Sequence, residues 1–249
     1  ELVKAHDAGP IGALALTRAA TSTLLLSAQL KGRQQIGLQL NGDGPIGEIY
    51  AIANADGVVR ATVAEPRVSL PMTAKGKIPL AKAIGLGKFA VIKKMDDDSP
   101  AYRGLIPIVY GDFARDVAEY LHSSEQRAAT FALGDRLGPE GVVTAGGFLI
   151  EALPGADVEV LKSIENRITA LGSLSQLLVD GIELTELLGR IVDDLEVLQT
   201  QNPRFECTCE RPRFARVLVA LGEAELRRLA AEQTVTELEC NFCRTKYSF

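Results

Sequence analysis

Cys207-Thr208-Cys209 and Cys240-Asn241-Phe242-Cys243 contain every cysteine of this 249-residue chain. Residues 210–239 separate the two pairs, and residues 1–206 carry no thiol. Two close pairs on either side of a domain-sized gap let one chain offer four sulfurs to one tetrahedral ion, each pair gripping from a single turn. Soft ligands and a tetrahedral preference select Zn2+, so one zinc is expected on Cys207, Cys209, Cys240 and Cys243. Thiols confined to one end do not form the framework of a secreted fold. Their metal spacing points to a reducing compartment and a cytoplasmic location. A thioredoxin-like redox pair is disfavoured: no strand–helix unit surrounds Cys240 and Cys243, and the CxC pair would have no role.

The piece that carries these thiols, residues 205–249, is near the size at which an apolar core alone fails. Its fold is therefore expected to depend on the metal, since structural zinc supplies about 10–16 kcal/mol. Zinc also keeps sulfur as thiolate, the form that peroxide attacks. Oxidation would pair neighbours, Cys207 with Cys209 and Cys240 with Cys243. Such bridges close very small loops and recover little of what the metal supplied. Oxidation is thus expected to expel zinc and unfold the tail.

Just upstream, Leu184, Leu187, Leu188, Ile191, Val192, Leu195 and Leu198 fall on one face of a helix, opposite Glu183, Glu186, Arg190, Asp193, Asp194 and Glu196. Each fully buried side chain of this kind contributes roughly 1.5–3 kcal/mol, so the stripe must dock on something. A helix packed permanently on the main domain is the plain expectation. A stripe that loses its dock when the tail unfolds becomes a binding surface for other proteins.

Other motifs have weaker claims. Gly42-Asp43-Gly44-Pro45-Ile46-Gly47 matches G-x-G-x-x-G, but a hairpin signal follows where a phosphate-binding helix is required, so it reads as a turn. His6 and His122 have no ligand partner at useful spacing and read as surface or helix-end residues. Ser123-Ser124-Glu125-Gln126 reads as a helix-starting cap with no serine chemistry. Asp96-Asp97-Asp98 reads as a solvated turn.

The elements that must hold the thiols come next. Pro10 to Lys31 is rich in Ala and Leu and reads as a buried helix. Strands are expected at Ile36–Leu40, Glu48–Ala53, Val58–Val63, Phe89–Lys93 and Leu105–Tyr110. Asn54-Ala55-Asp56-Gly57 makes a hairpin turn, and Pro107 marks a sheet edge. Asp112 caps a helix over Phe113–His122. Val142–Leu153 reads as a strand bulged or closely approached at Gly146-Gly147. A helix then runs from about Asp157 to Leu171. These elements predict an α+β fold: an antiparallel sheet core with helices (1–172), an amphipathic helical linker (173–204) and a small tetrathiolate zinc domain (205–249). The net charge is -5 and Trp is absent. Nine acidic residues against three basic ones in 157–202 concentrate that acidity. Around the cysteines, eight basic residues meet seven acidic ones from Arg204 onward, so nucleic-acid binding is not expected. No stretch reaches the ~20 apolar residues of a bilayer span, and no membrane partner or secretory signal is expected.

Several segments together resemble the redox-regulated heat-shock chaperone family of thirty-three kilodaltons. They are Arg204-Phe205-Glu206-Cys207-Thr208-Cys209, Leu221 to Leu226, and Glu239-Cys240-Asn241-Phe242-Cys243 with Tyr247 and Phe249. Gly44 to Gly47, Asn54 to Val59, Ser123 to Gln126, Gly146 to Phe148 and Pro154-Gly155 extend the likeness over nearly the whole chain. The resemblance implies an ATP-independent holdase, not an enzyme, that binds unfolded or oxidatively damaged client proteins. It implies a form that is inactive when reduced and zinc-bound, and a homodimer once thiol oxidation and unfolding activate it. By the same comparison, an N-terminal strand before Glu1 and a helix after Phe249 are expected. A constitutive zinc-ribbon interaction module and a thiol oxidoreductase remain the competing readings.

Overall fold

Period-two alternation of apolar residues sets the framework. In the computed structural model, which describes residues 1–95 and 99–249, the chain opens with helices α1 (Leu2–Ala5) and α2 (Pro10–Ser27). Strands β1 (Gln35–Gly42), β2 (Glu48–Asn54) and β3 (Val58–Val63) follow, then α3 (Leu80–Ile84), β4 (Gly87–Lys94), β5 (Tyr102–Pro107) and α4 (Phe113–Ser123). A long hairpin, β6 (Ala129–Gly138) and β7 (Gly141–Glu151), leads to α5 (Val158–Ala170), α6 (Leu174–Val179) and α7 (Leu184–Gly189). The tail comprises β8 (Arg204–Phe205), α8 (Arg211–Ala220), α9 (Glu223–Glu232), β9 (Glu237–Glu239) and β10 (Lys246–Ser248). The expected α+β class holds. The Asp96-Asp97-Asp98 turn lies outside the described residues.

The main sheet runs β5-β4-β1-β2-β3-β8; all its pairings are antiparallel except that of β8 with β3. Ile36, Leu38 and Leu40, Ile49 and Ala51, and Ala61 and Val63 send alternate side chains to one face. Against that face lies α2, apolar nearly all round because the β6–β7 hairpin covers its other side. Arg18 of α2 ties the layers together, reaching Asp112 at 2.8 Å and Asp135 at 2.7 Å.

The turn between β1 and β2 is the G-x-G-x-x-G stretch, and no helix follows it. A Cβ on Gly42 would lie 2.0 Å from the Ile84 carbonyl oxygen, and one on Gly44 would lie 2.2 Å from that of Ala83. These glycines therefore admit the close approach of α3. In the β2–β3 turn, the Asn54 side chain accepts from the N–H groups of Asp56 and Val58, and Gly57 takes φ +72°. Pro107 does sit on the edge strand, β5.

Two local expectations change, and two that named alternatives are decided. The fifth strand is Tyr102–Pro107 and stops short of Tyr110. The buried Asp116 carboxylate accepts from the N–H groups of Val109, Tyr110 and Asp112 and bends the chain there. Ser123 and Ser124 end α4 and start no helix; Gln126 at φ 54° turns the chain away. Close approach explains Gly147, whose Cβ would lie 2.3 Å from the Ala132 carbonyl oxygen, while the bulge lies further along the same strand, where Val143 has no partner opposite Arg136 and Leu137. His6 is a helix-end residue, the C-cap of α1, but it is buried and not on the surface.

The striped segment does not form one helix through Leu198. The helix ends at Gly189, and residues 193–203 carry no helix or strand. Glycine inside the stripe and the Asp193-Asp194 pair at its end oppose continuation. Leu187 and Ile191 are buried, with Leu188 and Val192 beside them, in a second apolar cluster with Phe148, Ile164 and Ile168. Leu184 and Leu198 are 58% and 86% exposed, and Leu195 is also exposed.

Candidate metal centre

Each cysteine pair sits on its own local scaffold. Cys207 and Cys209 lie on the extended stretch between β8 and α8. Cys240 and Cys243 occupy the turn joining β9 to β10. The turn is closed by Cys240 N–H to the Thr245 carbonyl at 2.9 Å and Arg244 N–H to the Cys240 carbonyl at 2.8 Å. Arg244 takes φ 60°, a left-handed conformation that the turn imposes on a side chain. Phe214 of α8 stacks on Tyr247 of β10 at 4.7 Å, and the Tyr247 hydroxyl donates to the Cys209 carbonyl at 3.0 Å.

These scaffolds bring all four predicted ligands together. The four Sγ atoms lie within 4.8 Å of one another, with Cys207–Cys240 at 3.6 Å and Cys209–Cys243 at 3.2 Å. A tetrahedron with Zn–S of about 2.3 Å has S···S edges of about 3.8 Å, so the sulfurs fit a metal of that size. They are close enough to bind one ion.

The protonation chemistry also fits a cation. Burial pushes the Cys207 thiol up to about 12 and raises that of Cys209. At Cys243 burial acts the same way but is outweighed by the Thr245 hydroxyl and backbone and by neighbouring sulfurs, which bring it to about 7. Four crowded sulfurs cannot all ionise together without a positive charge among them.

The tail has little else to hold it. Among the described residues of 205–249, only Leu218 and Cys240 are buried. Its fixed contacts run to the β2–β3 hairpin. The Arg204 N–H donates to the Gly57 carbonyl at 3.0 Å, and the Gln201 amide to the Ala55 carbonyl at 2.7 Å. Phe242, inside the CxxC turn, lies 6.0 Å from the Tyr50 ring, and the Arg60 guanidinium sits 4.9 Å over it. His6 completes this dock. Its Nε2 lies 3.0 Å from the Phe242 carbonyl and 3.2 Å from that of Ala61, so Nε2 carries the proton; Nδ1 accepts from Arg244 Nε at 3.1 Å. Burial, then the Arg244 charge, holds the imidazole below its ordinary 6.5. Sequence reading missed His6 and Arg244 in this role; no local pattern links residues 238 positions apart.

The profile of the Hsp33 protein family matches residues 1–249. The chain belongs to that family. A 33 kDa chaperonin of Bacillus mycoides is 36% identical over 252 residues, covering 100% of this chain and 87% of its own length. One from Ruminiclostridium cellulolyticum is 35% identical over 247 residues, covering 98% and 84%. The crystal structure of the 33 kDa chaperonin (heat shock protein 33 homologue) of Thermotoga maritima superposes with a TM-score of 0.92 at 30% identity, over 99% of this chain and 84% of that one. Family membership thus makes the chain a chaperone, and its four cysteines lie close enough to hold one metal ion. Among the described residues, no helix is long and apolar enough to cross a membrane.

Proposed function

We propose that this chain is a redox-regulated, ATP-independent holdase. It binds unfolding proteins and keeps them from aggregating under oxidative stress. It acts in the cytoplasm, without nucleic acid or membrane, and as a homodimer when active. The observation that carries the reading is the gathering of four sulfurs from two segments within 4.8 Å, on a tail with almost no core of its own.

In the reduced form Cys207, Cys209, Cys240 and Cys243 hold one Zn2+, which supplies a cross-link and keeps the sulfurs as thiolates. A thiolate attacks peroxide to give a sulfenic acid, and the protonated leaving oxygen departs as water. The neighbouring thiol then displaces the sulfenic oxygen as a second water and forms the disulfide. Each disulfide thus passes two electrons to one peroxide. Sulfurs paired as Cys207–Cys209 and Cys240–Cys243 no longer serve as ligands, and the two segments they anchored come apart.

Loss of β8 frees residues 193–203, and through them the end of α7. Leu184, Leu195 and Leu198, already exposed, are then joined by Leu187, Leu188, Ile191 and Val192 as client-binding surface. The unit boundaries that serve this switch are 1–172, 173–204 and 205–249. No residue is assigned a catalytic role.

The test is an aggregation assay with a thermally unfolding client, run beside zinc and thiol titration. Protection is expected only after peroxide with mild heat, together with loss of one zinc per chain. Equal client binding in both redox states would make the tail a constitutive zinc-ribbon interaction module. Turnover of disulfides without protection would make it an oxidoreductase.

A further inference from the structure

A strand edge with free backbone groups is a template for another strand, and proteins cover such edges. In this sheet the outer edge of β3 is covered piece by piece. The Gly57 carbonyl accepts from the Arg204 N–H at 3.0 Å, the Ala61 carbonyl from His6 Nε2 at 3.2 Å, and the Val63 carbonyl from Arg244 Nη2 at 3.2 Å. Val58 and Val59 pair in parallel register with Arg204 and Phe205. Backbone direction alternates along a strand, so Gly57, Val59, Ala61 and Val63 face outward while Val58, Arg60 and Thr62 face β2. Two of the three outside donors, Arg204 and Arg244, belong to the cysteine-bearing tail. The third, His6, is held by that tail through the Phe242 carbonyl and Arg244.

We propose that the β3 edge is a client-binding site for extended, unfolded polypeptide, which adds to it as a strand once the tail has left. The inference rests on the holdase reading above. Its occupant is argued from the present one: residues 204–205 already lie on the edge as a strand, and two side chains stand in for the donors that a longer strand would supply. An extended segment reaching from Gly57 to Val63 replaces all of them with backbone N–H groups. Backbone pairing is indifferent to sequence, as a binder of many unfolding proteins requires. Departure of Phe242 also uncovers Tyr50 and the stem of Arg60 beside the edge, giving alternate client side chains an apolar shelf. The reduced tail therefore occupies the site in place of the client.

Amide exchange in the full chain tests this, with reduced, carboxymethylated lactalbumin as the permanently unfolded probe. The chain is oxidised with peroxide under mild heat, and fragments covering 57–64 are followed against β1 as the internal reference. Addition of the probe is expected to slow the outward amides of Val59, Ala61 and Val63 by about tenfold or more, leaving β1 unchanged. A complex that forms while these amides exchange at the probe-free rate overturns the inference and leaves the holdase reading intact. Slowing without probe that grows with protein concentration also overturns it, because a second copy then occupies the edge. Failure of the probe to bind in either redox state removes the holdase reading and this site together.

Discussion

Which sulfur pairs with which decides whether oxidation loosens the tail. Two close sulfur contacts in the reduced arrangement join different segments, Cys209–Cys243 at 3.2 Å and Cys207–Cys240 at 3.6 Å. Cross-segment disulfides would staple the tail as the metal does. Neighbour disulfides release it, because they close only tiny loops. Peptide mapping of the peroxide-treated chain is expected to recover Cys207–Cys209 and Cys240–Cys243; predominance of cross-segment bridges would refute the switch. His6 adds a second test at this scale. Its folded-state pKa lies below the ordinary 6.5, so the unfolded chain binds the proton more tightly. Its contribution to docking is complete above pH 6.5 and is lost as pH falls through the lowered value. Protonated Nδ1 can no longer accept from Arg244. The zinc-loaded chain should therefore melt at lower temperature as pH falls below 6.5, and His6→Gln should flatten that dependence. An unchanged pH profile in the variant would mean that the imidazole does not control the dock.

The linker stripe separates into buried and idle positions. Leu187 and Ile191 fill the cluster around Phe148, whereas Leu198 touches little. Leu187→Ala or Ile191→Ala is expected to cost about 2–5 kcal/mol in denaturant unfolding and to raise client binding by the reduced form. Leu198→Ala should stay within about 0.5 kcal/mol of the parent. Equal effects at all three positions would show that the stripe docks as one unit after all. The apolar period was legible here, but the partner face was not. Seven positions of correct spacing fit a continuous helix, yet Gly189 and the acidic pair at 193–194 ended it early. Gly134 and Gly138 dilute the apolar pattern of β6, so its strand signal is weak in the sequence. A Cβ at Gly134 would meet Leu174 and Leu178 at 2.9 Å, so α6 is what the glycine admits.

Over the whole molecule, stability is unevenly distributed. The sheet and α2 share a large continuous core, while residues 205–249 bury two side chains. Chelation of the metal from the reduced chain should therefore unfold the tail and leave the sheet intact. Amide exchange would rise across 205–249, with β1, β2 and α2 still protected; loss of both together would show that the tail is not an independent unit. The gathering of the four cysteines, the α+β class, the hairpin at Asn54–Gly57 and the helices capped by Asp112 and Asp157 could be read from residue order, because spacing, turn chemistry and capping are local properties. The placing of His6 and Arg244 against Phe242, the covering of the β3 edge and the dock chosen by the stripe could not. Those depend on which surfaces meet when segments as much as 238 residues apart fold together, and chain order carries no local trace of such meetings.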